Sequence, residues 1–253
     1  MTGAARAPRR RRGAIWLGLL FGCVAIVCTA LGAWQLQRRV WKLDLIARVE
    51  ANVAAAPGAA PRPSPGVTID WPREEYRRLH VSGIFAHDRE TLVQAVTVHG
   101  PGFWVLTPLA TDQGFTLLVN RGFVPSAQRD PANRRDGQVA GPVTVTGLLR
   151  LTEPGGAFLR SNDPAGGRWY SRDVAAIAAA RGLANTAPYF IDADATPNPG
   201  GLPIGGLTVL AFRNPHLVYA LTWFTLAALG IGGIVFLLRE GRRPGPETDA
   251  AQD

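Results

Sequence analysis

Between its two long apolar runs this 253-residue chain has no cysteine; Cys23 and Cys28 both lie inside the first run. Disulfide architecture is therefore excluded for the intervening stretch. A Cu(I)-transfer role has no thiol there, and the single methionine of the chain gives no Met cluster in its place. Cys23 and Cys28 are not spaced as a C-x-x-C pair and read as small apolar packing residues. Catalytic signatures are missing as well: there is no G-x-S-x-G, no H-E-x-x-H, no P-loop and no G-x-G-x-x-G between a strand and a helix. The carboxylates are scattered, and the adjacent Glu74 and Glu75 fall on opposite faces of a predicted strand. These gaps point away from an enzyme. His80, His87 and His99 match no zinc or copper spacing, so a three-histidine metal site is the weaker reading beside ordinary surface or core histidines. The formal charge of +8 loses its apparent meaning once divided. Five arginines sit in the first twelve residues, and residues 34–215 carry 19 basic and 15 acidic side chains, a balance that gives nucleic-acid binding no support.

What is present is two uncharged apolar runs, residues 13–33 and 216–238. At ~1.5 Å per residue each spans roughly 30 Å as a helix, the thickness of a bilayer's hydrocarbon core. Trp16 and Trp34 flank the first run, and Tyr219 and Trp223 stand near the start of the second, where amphipathic rings favour the headgroup region. A cleaved signal peptide is the alternative for the first run. Its apolar length exceeds the usual h-region of about 7–15 residues, so a retained anchor is expected. Arginines of the two chain ends outnumber the basic residues flanking the runs on the other side by eight to five. That bias places both termini in the cytoplasm, or the matrix of a mitochondrion, and the intervening domain in the periplasm or intermembrane space. One lysine, Lys42, among 27 basic residues, together with the lack of a long acid-poor presequence, favours a bacterial inner membrane.

The expected organisation is a basic cytoplasmic N-terminus (1–12), a first transmembrane helix (13–33), an amphipathic helical extension and Pro/Ala-rich linker (34–66), a β-rich extramembrane domain (67–215), a second transmembrane helix (216–238) and a cytoplasmic tail (239–253). In the extension, Leu36, Val40, Leu43, Ile46 and Val49 recur every three or four residues, which is helical spacing. Beyond the linker, residues 75–85, 91–98, 102–110, 115–124, 143–151, 187–192 and 207–212 read as strands, and 168–173 as a short one. Residues 174–181 form an Ala-rich helix with Asp173 as N-cap and Gly182 as its stop. The fold class is thus a membrane protein in which two transmembrane α-helices flank a mainly antiparallel β (α+β) domain.

Four segments in fixed order carry a family resemblance: WQLQRRVWK (34–42), YRRLHVSGIF (76–85), LLVNRGFVP (117–125) and HLVYALTWF (216–224). Together with the two-anchor topology they resemble the Surfeit locus protein 1 family of cytochrome c oxidase assembly factors over nearly the whole chain. The matching positions are Gly32, Trp34, Gln35, Arg38, Trp41 and Lys42; Tyr76, Arg77, Gly83 and Phe85; Asn120, Arg121, Gly122, Val124 and Pro125; and His216, Tyr219, Ala220, Thr222 and Trp223. Phe123 departs from the tryptophan of many relatives and loses an indole donor.

The resemblance implies a protein that receives haem a and helps pass it to the catalytic subunit of cytochrome c oxidase, with the haem a synthesis enzyme as a further partner. A haem-free membrane scaffold for an oxidase intermediate is the alternative. On a 3.6-residue helix His216, Tyr219 and Trp223 fall at about 0°, 300° and 340° and share one face. That face offers an imidazole to haem iron and rings to the porphyrin, with Thr222 as a hydrogen-bonding neighbour and Arg213 and Arg38 as counter-charges for the propionates. An ordinary interfacial aromatic belt would show the same side chains. For the Asn120-Arg121-Gly122 motif a structural role, a strand end needing an unusual backbone angle at Gly122, is favoured over ligand contact.

Overall fold

A computed structural model describes residues 7–63, 69–157 and 159–242. The first residues of the basic N-terminus, the end of the linker and most of the tail lie outside the described residues. The chain divides into two compact units, one made of residues 1–46 and 212–253, the other of residues 47–211.

The first unit is helical. No proline interrupts residues 9–56, and the apolar run and its amphipathic extension form one continuous helix, α1 (Ala7–Ala54), which stops just short of Pro57. The second run is α4 (His216–Glu240), entered through Pro215 and left at Gly241. Each contains a stretch long and apolar enough to cross a membrane, and a helix is the form in which every backbone group in lipid is satisfied within its own segment. The two helices run antiparallel, because Gly32 meets Phe224, Ala25 meets Gly230 and Phe21 meets Gly233. The buried positions are small (Ala25, Cys28, Gly32, Ala220, Ala227 and Gly230), whereas Ile26, Leu20, Leu229 and Phe236 point outward. That division is expected of helices packing in lipid, where close backbone approach rather than water exclusion drives association.

The second unit is a small barrel. Its strands are β1 (Gly58–Ala59), β2 (Arg78–Phe85), β3 (Thr91–Thr97), β4 (Gly100–Thr111), β5 (Thr116–Pro125), β6 (Pro142–Leu151) and β7 (Thr186–Ala193), with short helices α2 (Trp71–Glu74) and α3 (Val174–Ala180). Hydrogen bonding runs β1-β2-β6-β7-β5-β4-β3, and a further β2–β4 pairing closes the five central strands into a ring. Closure is tight at Gly83, opposite Thr111, where a Cβ would run into the Ala110 carbonyl. Pairing is antiparallel except for β1–β2 and β5–β7. The short links HGP and TDQG become hairpin turns, the first with Val98 and His99 at its tip.

Alternation along the strands separates two cores. Leu117, Val119, Tyr189, Ile191, Leu109 and Leu79 fill the barrel interior. Leu118, Phe190, Leu106 and Val93 face outward and are covered by Trp169, Val174 and Ile177. β5 and β7 are therefore buried on both faces, which explains the near-continuous apolar reading of residues 115–124. At ~25 cal/mol per Å² the two layers supply the main driving force for folding this unit.

Asp173 caps α3, accepting from the Ala176 N–H, and Gly182 ends it in the left-handed region at φ +61°. Two expected strands are absent among the described residues. Residues 207–212 are irregular because Gly205 and Gly206 break the backbone before them and Thr208 is held by a side-chain bond, not a ladder. Residues 168–173 make only isolated bridges, at Trp169 and Arg168, since Trp169 is spent as a plug in the outer core. β2 also starts later than expected, at Arg78, because Tyr76 takes φ +64° after the short α2.

Candidate functional site

Two constellations gather the family-motif residues, one in each unit. In the helical unit, the mouth of α4 meets α1 through one specific bond: His216 Nδ1 lies 2.7 Å from Gln35 Oε1. An amide oxygen only accepts, so Nδ1 carries the proton and donates. Nε2 of the neutral ring is left with its lone pair, the form a metal-binding imidazole requires, and the Gln35 amide fixes the ring's tautomer. His216 is half-buried, and Tyr219, one turn on, is 53% exposed. Trp223 is half-buried on the same face. Thr222 differs from expectation. Its hydroxyl donates to the Val218 carbonyl at 3.0 Å, so its proton is committed within the helix and only its oxygen lone pairs remain. Arg38 lays its guanidinium over Trp41, 4.5 Å from the ring centroid, and Lys42 sits over Phe212. Arg213 is exposed and lies before the first turn of α4. Trp34 is exposed on α1. Of the residues expected to act together, the structure joins His216 to Gln35 and aligns Tyr219 and Trp223 on its face.

In the barrel unit, the Asn120-Arg121-Gly122 motif lies in β5 and is structural. Asn120 Nδ2 donates to Asp192 at 2.8 Å, and its Oδ1 accepts from the Gly122 N–H at 3.2 Å. Gly122 adopts φ +130°, and a Cβ there would strike the Ile204 carbonyl. The close approach lets Phe123 exchange both backbone bonds with Ile204 at 2.9 Å. The Phe123 ring is fully buried, edge-on to Trp104 at 6.0 Å and stacked with His99, so the exchange for tryptophan sits in an aromatic cluster. Pro125 ends the strand.

Asp192, at the end of β7, is the hub that residue spacing does not reveal. Its carboxylate is 5% exposed and accepts from Asn120, Arg172, Arg150 and Thr208, each at 2.8 to 3.0 Å. Four donors fill the lone-pair sites of a carboxylate, so Asp192 holds the segment after Gly206 to the barrel and has no free site for a proton-transfer role. Arg172 also binds Glu153, through Nε at 3.0 Å and through Nη2, and lies over Phe190. Arg150 lies over Tyr76, 4.8 Å from its ring, and reaches Glu75. Burial works against the Glu153 charge, but its bonds to Arg172 outweigh it and hold the carboxyl below the usual range. Burial likewise works against the charge of Arg172, and its bonds to Glu153 and Asp192 hold its guanidinium above the ordinary value. Burial pushes the Tyr76 hydroxyl up, with Arg150 opposing. Arg77 pairs with Glu74 at 2.6 Å. The one signal for the hub in the sequence is a carboxylate at the end of the apolar run APYFID.

The three histidines of this unit do not converge. His80 bonds the Pro57 carbonyl, His87 the Val139 carbonyl, and His99 lies against Phe123. Among the described residues no three His, Cys, Asp or Glu side chains gather at metal-binding distance, so the three-histidine alternative is set aside.

Comparison with known proteins covers both units. The SURF1 family model matches residues 22–228. A "SURF1-like protein" of Monosiga brevicollis is 39% identical over 95% of this chain and 94% of its own. "Surfeit locus protein 1" of Rattus norvegicus is 41% identical over 78% of this chain and 68% of its own, and that of Homo sapiens 38% over 84% and 73%. With its two membrane-length helices, its closed barrel and identity on this scale along most of its length, the chain belongs to the SURF1 family.

Proposed function

We propose that this protein is an assembly factor of the bacterial inner membrane that binds haem a transiently at the mouth of α4 and assists its insertion into the catalytic subunit of cytochrome c oxidase. The observation that carries the reading is the 2.7 Å bond from His216 Nδ1 to Gln35. It orients the imidazole with its proton on Nδ1 and turns Nε2 to the iron at a helix mouth where Tyr219 and Trp223 provide aromatic surface. Haem a, when bound, supplies the iron and the porphyrin that the oxidase needs. His216 would hold the iron, Tyr219 and Trp223 would flank the ring, and Arg38 and Arg213 would neutralise propionates. Gln35 keeps the His216 proton on Nδ1. The residues bind and orient; none is placed to transform the cofactor. Following the distribution of basic residues, the barrel unit faces the periplasm, where it meets the oxidase subunit and the haem a synthesis enzyme.

The test is an optical spectrum with pyridine haemochrome analysis of the detergent-purified protein co-expressed with haem a synthesis, comparing wild type with His216→Ala and Gln35→Leu. Haem a in the wild type, its loss in folded His216→Ala and a weakened, shifted Soret band in Gln35→Leu are expected. Haem retained in His216→Ala would move the ligand elsewhere. A colourless wild type would favour a haem-free scaffold.

A further inference from the structure

β3 is the last strand in the hydrogen-bonded order, and its outer edge is only half covered. Trp169 bridges Val93, and the Gln94 N–H donates to the Trp169 carbonyl at 2.8 Å. Peptide groups alternate in direction along an edge strand, so the next outward pair is the N–H and C=O of Val96. Among the described residues no strand or bridge continues along that edge past Gln94. Natural sheets blunt such an edge with a charge, a proline or a bulge. Residues 95–98 read Ala-Val-Thr-Val and have no charge or proline, and β3 pairs with β4 in unbroken register. Val96 and Val98 are 83% and 91% exposed.

Alongside the open edge runs a shallow groove of about 450 Å³, its apolar floor made by Val96, Pro101, Phe103 and Tyr170. Leu159 stands next to it, between the groove residues Ala157 and Arg160 in the chain, 88% exposed and held at φ +60°. No Asp or Glu lines the groove, and its one charged lining residue is Arg160. That guanidinium lies over Tyr170, 5.4 Å from the ring centroid, and Nη1 donates to Gln94 Oε1 at 3.2 Å. Arg129 lies over the groove residue Phe103 at 5.1 Å. Both arginines are exposed, and neither has a carboxylate partner among the described residues; Asp163, three residues from Arg160, is taken by Arg168. An open edge offers main-chain bonds, the floor offers apolar contact, and two unpaired guanidinium groups ask for a carboxylate. A second copy of the chain, docked edge to edge, would bring the same cations and no acid, so the charge favours a different partner.

We infer that the β3 edge and its groove are a docking site for an extended segment of a partner protein, which adds to the sheet as a strand through the peptide groups of Val96. Its alternate side chains are aliphatic and lie along the groove, and a Glu or Asp of the segment faces Arg160 and Arg129. The site belongs to the barrel unit and does not rest on the haem reading, which depends on His216.

The test is a fluorescence-anisotropy titration of the full-length, detergent-purified protein with a labelled six-residue peptide in which valine alternates with threonine and glutamate, and with its lysine-for-glutamate counterpart as control. Saturable one-to-one binding of the glutamate peptide is expected, with slowed hydrogen exchange at the Val96 amide. Binding should weaken about tenfold or more, a loss of ~1.4 kcal/mol, in Val96→Pro and in Arg160→Glu. Val96→Pro removes the outward N–H from an edge position that tolerates proline and leaves the bonds to β4 in place. Arg160→Glu changes an exposed side chain, so the inference stays testable if the proline variant does not fold. No saturable binding up to about 1 mM, equal binding of the lysine peptide, or binding unchanged in Val96→Pro would overturn it. Dimerisation of the peptide-free protein that Val96→Pro abolishes would give the edge to a second copy, and Val96 exchange slowed by phosphatidylglycerol nanodiscs alone would give it to the bilayer; either result also overturns it.

Discussion

Replacing Asp192 by asparagine keeps the shape of the side chain and removes its charge at the point where four donors converge. Two of them, Arg150 Nη1 and Arg172 Nη1, both 3.0 Å away, are charge-assisted bonds of about 1.5–3 kcal/mol each. The new amide must also turn an N–H toward a donor, either Asn120 Nδ2 or an arginine. Two effects reduce the loss: a neutral side chain costs less to bury, and both arginines keep a second acid, Glu75 for one and Glu153 for the other. The net expectation is about 3 kcal/mol, at the lower end of the ~3–5 kcal/mol seen when one partner of a buried pair is removed. For a unit of this size that is a fall of about 6–12 °C in Tm. Thermal melts of the full chain in detergent, followed by near-UV circular dichroism from Trp71, Trp104 and Trp169, measure it directly. Asp194→Asn is the control. Its partner Arg78 lies 3.9 Å away with 43% of its side chain exposed, so the change should stay below about 1 kcal/mol. A Tm for Asp192→Asn within 2 °C of wild type, or equal losses in both variants, would refute the reasoning that the hub holds the segment after Gly206.

Other consequences are equally direct. Gly122→Ala should cost about 3 kcal/mol or more in urea unfolding with little change in slope, since a Cβ at φ +130° adds strain of about 1–3 kcal/mol and also pushes away Ile204, breaking its two bonds with Phe123. Glu153 has a folded pKa below its unfolded value of 4.5. Its contribution to stability is therefore fully present above pH 4.5 and lost as pH falls through the lower folded value. Glu153→Gln should flatten the stability profile below pH 4.5 and reduce stability at neutral pH; an unchanged acid limb would count against the Arg172 bond as the cause.

The periodicities of the sequence settled most of the local structure. Uncharged runs of membrane length, helical spacing in the extension, and apolar runs bounded by Gly, Pro and Asn led to the helices and to most strands, because these features depend on solvent and on backbone chemistry close in sequence. Asp173 and Gly182 were legible as helix ends for the same reason. The ring closure between β2 and β4, the parallel β5–β7 pairing and the failure of residues 207–212 to form a strand were not, since each is decided by which distant segment a backbone meets. The candidate sites divide the same way. His216 with Tyr219 and Trp223 could be placed on one face by helical geometry, and Gly122 could be read as a backbone requirement. Gln35 as the partner of His216 and Asp192 as the acceptor for two arginines belong to tertiary structure alone. Each joins side chains far apart along the chain, and a hydrogen bond exists only once folding has fixed which groups face each other and removed water from between them.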